Sequence, residues 1–275
     1  MQGKASNNYM ELTSKLAIDC GKCSGLCCVA LYFMKTDGFP EDKEAGNLCK
    51  NLASDFRCKI YNQLPKLNMK GCLAYDCFGA GQRTTQAYFP DITWKTNPEK
   101  ANEIFEVFLI IFQMHQLLWY LIEAFNVSQN KKLSDELESL ILENERMTTG
   151  NAGDILSLDV SSYRMKVNDA LKRVTRNLSG DSSKGARKDY IGSTFKGENL
   201  DGRDLSMSLL IATNFEGCSL KGVNFLGADM RDANIKNTDL SESVFLTQMQ
   251  VNSARGNLNT KLPERLQIPD SWSLK

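Results

Sequence analysis

Histidine is nearly missing from this chain: His115 is the only one in 275 residues. That excludes His-rich metal sites and leaves almost nothing from which to build a Ser-His-Asp arrangement. His115 itself stands in an apolar helical stretch beside Met114, where a satisfied core histidine is expected. Net charge is missing as well, with 33 Lys and Arg against 33 Asp and Glu. Direct nucleic-acid binding is therefore not expected. No long apolar run is unbroken: IFEVFLIIFQMHQLLWYLIEAF, 104–125, is interrupted by Glu106, Gln113, His115, Gln116 and Glu123. A membrane span needs about 20 mostly apolar residues, so a buried helix is expected and no membrane partner. MQGKASNNYMELTSK lacks the apolar run of a signal peptide, and a soluble cytoplasmic chain is expected. FGAGQ, 78–82, lacks the Lys-Ser/Thr of a phosphate-binding loop and reads as a turn, although its amides are free to meet an anion. No carboxylate pair stands out as acid and base, and nothing argues for an enzyme.

Cysteine, by contrast, is abundant and concentrated. Of nine, eight lie between residues 20 and 77: Cys20, Cys23, Cys27, Cys28, Cys49, Cys58, Cys72 and Cys77. In a reducing compartment such a cluster points to metal rather than disulfides. Four thiolates around one ion make a closed zinc site or an iron–sulfur site. Cys20 and Cys23 form a CxxC pair that can reach one ion. Cys27 and Cys28 are adjacent, and adjacent side chains diverge, so they serve different sites or one is a spectator. Eight thiols allow two four-thiolate sites, or one site with thiols to spare. The ninth, Cys218, is expected to pack as a small apolar residue.

CGKCSGLCC at 20–28 is followed by CKNLASDFRCKIYNQLPKLNMKGCLAYDC at 49–77. Cys20, Cys23, Cys27, Cys28, Cys49, Leu52, Arg57, Cys58, Ile60, Tyr61 and Cys72 together resemble the zinc- or iron-chelating CxxCxxxCC family. The resemblance implies a metal-binding role for the eight cysteines, with zinc and an iron–sulfur cluster both open. NQLPKLNMKG departs from the family's short Arg-Pro turn.

The chain divides into a loop-rich cysteine segment at 1–93, a helical segment at 94–179, a Gly/Ser-bearing linker at 180–190 and a repeat region at 191–275. A domain as small as the first struggles to build a sufficient core, and metal cross-links would supply stability. In the helical segment Asn97 and Pro98 signal one helix start, and Ser134 is expected to cap a second. Leu156, Val160, Tyr163, Val167, Leu171, Val174 and Leu178 form one apolar stripe. It either packs within its own chain or provides a homodimer seam.

From 191 the chain reads in fives: GSTFK GENLD GRDLS MSLLI ATNFE GCSLK GVNFL GADMR DANIK NTDLS ESVFL TQMQV. Eleven of the twelve fourth residues, from Phe195 to Phe245, are apolar, and nine of the twelve residues two before them are small or short. This resembles the pentapeptide-repeat family, with its A(D/N)Lxx pattern. The resemblance implies a right-handed quadrilateral β-helix, closed by a capping segment at 245–272. The expected fold is thus mixed: this β-helix, a helical middle segment and a small metal-held N-terminal domain.

The leading reading is a metal-binding scaffold or sensor that shows its repeats to a protein partner through Lys196, Asp201, Arg203, Glu216, Lys221, Arg231, Asp232 and Lys236. A DNA-mimicking protector of gyrase is the alternative. Residues 190–256 carry only eight acidic against six basic side chains. The expected coils, stacked at about 4.8 Å, would also make a short rod. A redox enzyme using an iron–sulfur cluster is a third reading.

Overall fold

The computed structural model describes residue 9, residues 11–179 and residues 189–273. The expected linker at 180–190 lies, except for 189 and 190, outside the described residues. In chain order the α-helices named here are α1 (Leu26–Ala30), α2 (Lys70–Ala74), α3 (Ala80–Arg83), α4 (Ala101–Val127), α5 (Lys131–Met147), α6 (Ala152–Leu156), α7 (Val160–Ser179) and α8 (Gln248–Ser253). Two compact units result: Met1–Gly71 with Asp76–Leu171, and Cys72–Tyr75 with Lys172–Lys275.

The core of the first unit is built on α4. Its apolar residues are not confined to one face, and it is enclosed accordingly by α3, α5 and α6. Val107, Phe108, Ile111, Met114 and Leu121 lose all contact with solvent. Each contributes about 1.5–3 kcal/mol by leaving water. By length and composition this helix is able to cross a membrane, and half of its most apolar window is buried inside the protein.

Helix α5 starts earlier than the Ser134 cap implies. Asn130 is the N-cap, its side chain accepting from the Leu133 N–H at 3.1 Å, and Ser134 lies inside the helix with its hydroxyl donating to the Asn130 carbonyl. Asn is a strong cap, and its position lets the helix gain a turn. Across the interior, Asn144 donates to the Met114 carbonyl at 3.0 Å and Tyr163 to the Leu140 carbonyl at 2.8 Å. The apolar stripe is covered within the single chain at Tyr163, Val167, Leu171 and Val174, and opens at Leu178, which is 42% exposed. Its first residue belongs to α6, because the chain breaks helix between Leu156 and Val160, and Ile155 is the residue buried there.

The repeat region departs from the expected β-helix. No β-strand or sheet is present among the described residues, whose regular structure is helical. What the repeats form is a stack of turns. Each central residue accepts from the N–H three residues on, as Phe195 does from Glu198 and Phe215 from Cys218. The third residue of each turn needs positive φ, which Gly197, Gly202, Gly217, Gly222 and Gly227 supply. The residue before the centre pairs with its counterpart twenty positions later in a single parallel bridge, as in Thr194↔Asn214 and Asn199↔Ser219. With the rest of the five-residue period spent on the turn, one bridging residue per side is too few for a strand.

The expected inward residues are where the period puts them. Leu210, Phe215, Leu220, Phe225, Ile235, Leu240 and Phe245 are fully buried, and Phe195 stacks on Phe215 with centroids 5.5 Å apart. The short residues two before each centre also form bonds between layers. Thr213, Cys218 and Thr238 donate to the carbonyls of Tyr190, Phe195 and Phe215 at 2.7–2.9 Å, and beyond the repeats Thr260 does the same to Ile235 at 2.9 Å. The Asn or Asp before the centre accepts from the N–H two residues on, as Asn199, Asn214 and Asn234 do. After Phe245 the pattern stops at α8, where Thr247 and Gln250 form a capping box. Gln250 also donates to the carbonyls of Phe225 and Ala228, both at 2.9 Å.

Candidate thiol-rich metal centre

Seven of the eight clustered cysteines belong to the first unit; Cys72 belongs to the second. Cys20, Cys23, Cys27, Cys28, Cys49, Cys58, Cys77 and Cys218 are free thiols. Cys218 is the buried packing residue expected, with the added hydrogen bond to Phe195.

The loop carrying Cys20 to Cys28 is fixed at both ends by cations. The Arg57 guanidinium donates to the carbonyls of Cys20 and Gly21. The Lys43 ammonium is held by four carbonyls, those of Val29, Leu31, Glu44 and Asn47 at 2.6–3.2 Å, and lies over the Phe33 ring. Burial lowers the Lys43 pKa, while the sulfurs of Cys49, Cys28 and Cys27 act to raise it. A fixed positive charge therefore stands beside three thiols.

Backbone N–H groups face three sulfurs of the cluster, as those of Gly197 and Glu198 face Cys218 in the repeats. Those of Gly25 and Leu26 point at Cys23, that of Ile60 at Cys58, and those of Gly79 and Gly81 at Cys77. Such amides favour a thiolate. FGAGQ is the expected turn only at Phe78 and Gly79; from Ala80 it is helix α3. Gly79 sits at φ +71°, where a Cβ would fall 2.4 Å from the Lys15 carbonyl oxygen. Gly81 is bare because the Cys23 sulfur lies against it: a Cβ there would be 2.6 Å from Sγ.

Burial raises the pKa of Cys20, Cys23 and Cys58, and lifts Cys77 to about 11; neighbouring sulfurs push each of them further up. The Cys27 thiol donates to Cys28, which lowers Cys28 and, together with burial, holds Cys27 protonated. Thiols gathered in this way lose their protons to a soft cation, the kind of partner that thiolate ligands select. The donor chemistry fits zinc or an iron–sulfur cluster. As the side chains stand, no three His, Cys, Asp or Glu among the described residues close on one ion.

His115 takes no part in such a set. It is buried, its Nδ1 lies 2.7 Å from the Phe78 carbonyl, and burial drives its pKa down to about 4. Sequence reasoning missed the roles of Lys43, Gly81 and Thr85. Thr85 accepts from the Ser24 N–H at 3.1 Å and ties the first cysteine loop to the segment after α3. Only the place of Gly81 shortly after the last clustered cysteine signalled any of these.

Residues 208–245 match the pentapeptide-repeats family model in eight copies. Over 266 residues the chain is 40% identical to the "Uncharacterized protein YybG" of Bacillus subtilis strain 168, covering 94% of this chain and 95% of that one. The chain belongs to the YybG family. The match to YybG spans both compact units, whereas the repeat model stops short of the cysteine segment. No solved structure matches the chain.

Proposed function

We propose that the protein is a non-enzymatic scaffold in which a thiol-bound metal orders the cysteine segment and the repeat stack meets a protein partner. Pentapeptide repeats suggest an interaction scaffold. The observation that carries the metal half is how the fold draws the cysteine segments together: the Cys49 N–H donates to the Cys28 carbonyl at 3.0 Å, Leu52 bridges to Cys58, and the Cys23 sulfur lies against Gly81, just after Cys77. The ligands are drawn from Cys20, Cys23, Cys27, Cys28, Cys49, Cys58, Cys72 and Cys77. A bound ion supplies cross-links that a loop-rich segment otherwise lacks. Lys43 and Arg57 hold the loop in place and offset the charge of the thiolates.

The faces of the repeat stack support a protein partner better than mimicry of DNA. Mimicry needs a surface of one sign, and here charges alternate and pair. Lys196 meets Glu216 at 3.3 Å, Arg231 meets Asp229 at 2.7 Å, Arg255 meets Asp232 at 2.9 Å and Lys261 meets Asp239 at 3.3 Å. Exposed pairs of this kind add little stability, yet they cancel the field at a distance.

The test is anaerobic purification followed by metal and acid-labile sulfide analysis on one sample. Zinc, or iron with matched sulfide, supports the reading; a metal-free protein with intact structure removes it. A gyrase supercoiling assay with the protein added is expected to show no protection and no inhibition.

A further inference from the structure

We propose that four backbone carbonyls of the cysteine segment form a site for a monovalent cation, which the chain fills with its own Lys43 ammonium to tie the stretch after Cys28 to the stretch before Cys49. The carbonyls are those of Val29, Leu31, Glu44 and Asn47, at 3.2, 2.6, 3.0 and 2.8 Å from Nζ. The site stands whether or not the thiols hold a metal.

An ammonium carries three N–H donors. Four oxygens converge on this one, so they surround a charge rather than answer three bond directions. Backbone carbonyls gathered around a point are what replaces the hydration shell of a potassium ion. None of the four oxygens belongs to a carboxylate, and magnesium or calcium draws its oxygens closer, to about 2.0–2.6 Å. The chemistry therefore selects a single positive charge of the size of ammonium or potassium. The Phe33 ring closes one side, its centroid 4.5 Å from Nζ, and stacks in turn on Phe39 at 4.4 Å.

The backbone builds this cage. Phe33 and Lys43 exchange both of their main-chain hydrogen bonds, at 2.9 and 3.0 Å, which sets where the lysine stem begins. Val29 and Leu31 lie at the end of α1, where helix carbonyls lack intrahelical partners and favour a cation. Glu44 and Asn47 flank Gly46, whose φ of +83° suits glycine and turns the chain back. The Gly46 N–H then donates to the Val29 carbonyl at 2.9 Å, and the Cys49 N–H to the Cys28 carbonyl at 3.0 Å. One charge thus clamps the two stretches where Cys28 and Cys49 approach each other.

The experiment compares the unsubstituted full chain with Lys43→Ala, both reduced and kept free of zinc and iron by a chelator, so that it reads the cage alone. The readout is amide hydrogen exchange at Gly46 and Cys49, with buried Leu220 of the repeat stack as reference. In N-methylglucamine chloride, whose cation is too large for the cage, Lys43→Ala is expected to exchange at Gly46 and Cys49 about tenfold faster than the unsubstituted chain. Potassium or ammonium chloride at the same ionic strength is expected to restore most of that protection, with Leu220 unchanged. Exchange that the substitution leaves as it was overturns the proposal. So does faster exchange confined to Gly46 and Cys49 that neither small cation slows. If Lys43→Ala fails to fold, the unsubstituted chain decides through acetylation of its amines, followed by mass spectrometry. A Lys43 at least about tenfold slower to react than exposed Lys59 supports a held ammonium, and equal rates overturn it.

Discussion

Replacing Gly81 by alanine separates a packing account of the thiol site from a helix-propensity account by the sign of its effect. Gly81 lies in α3 with no unusual φ, so an alanine there is welcome to the backbone. On propensity alone Gly81→Ala gains up to about 1 kcal/mol. The structure predicts the reverse. The new Cβ falls 2.6 Å from the Cys23 sulfur, well inside ordinary contact. Overpacking of this kind costs about 1–3 kcal/mol. At the middle of that range the net loss is about 1 kcal/mol, or a fall of about 2–4 °C in the unfolding temperature for a unit of this size. Thermal unfolding of the reduced chain measures it. The cause is isolated by a double-mutant cycle with Cys23→Ala, which removes the sulfur and is expected to recover most of the Gly81→Ala loss. A higher melting temperature for Gly81→Ala, or additive losses in the cycle, would refute the claim that Gly81 is bare for the sulfur.

Stability should rise with pH between about 4 and 6.5 because of His115, whose pKa falls from 6.5 to about 4 on folding. The unfolded state binds the proton first, so the gain is complete above pH 6.5 and is lost as pH falls toward 4. At about 1.36 kcal/mol per unit this is about 3 kcal/mol. Asp76, raised by burial, acts in the opposite sense, and urea unfolding of His115→Phe is expected to lose the rising slope while keeping the Asp76 contribution. Phe215→Ala should cost about 3–5 kcal/mol, since the ring is fully buried and stacked on Phe195; chemical denaturation monitored by far-UV circular dichroism measures it. Met207→Gly should stabilise by about 0.5–1 kcal/mol, because Met207 is 69% exposed and held at φ +55°, where its neighbours in the repeat use glycine; a lower denaturant midpoint for the variant contradicts this.

The repeat core was legible residue by residue because a fixed period leaves each side chain one direction. Phe215, Leu220 and Phe225 are buried as the fives predict. The A(D/N)Lxx pattern also carried information in its second position, since Asn199 and Asn214 cap the turn that follows them. What the period did not reveal is how few residues remain for pairing between coils, so the strands it implied are absent among the described residues. In the helical segment periodicity found the faces, and capping chemistry misplaced one start because Asn130 outcompeted Ser134.

The cysteine site was legible in composition and not in arrangement. Which sulfurs meet depends on contacts across long separations, such as Cys23 against Gly81, that spacing along the chain does not encode. Lys43 was invisible for the same reason, because its four acceptors are carbonyls, which every residue carries. The Gly79 and Gly81 pair was the one local hint, and its role as a cradle for Cys77 emerges only from the fold.

The most direct test of the account is the reactivity of the thiols in the anaerobically purified native chain, followed with a thiol reagent before and after adding a zinc and iron chelator. The account predicts that Cys23, Cys27, Cys28, Cys49, Cys58 and Cys77 react slowly at first and rapidly once the metal is withdrawn, while buried Cys218 stays slow throughout. Rates that the chelator leaves unchanged would show that burial alone protects the sulfurs and would contradict metal binding by this chain.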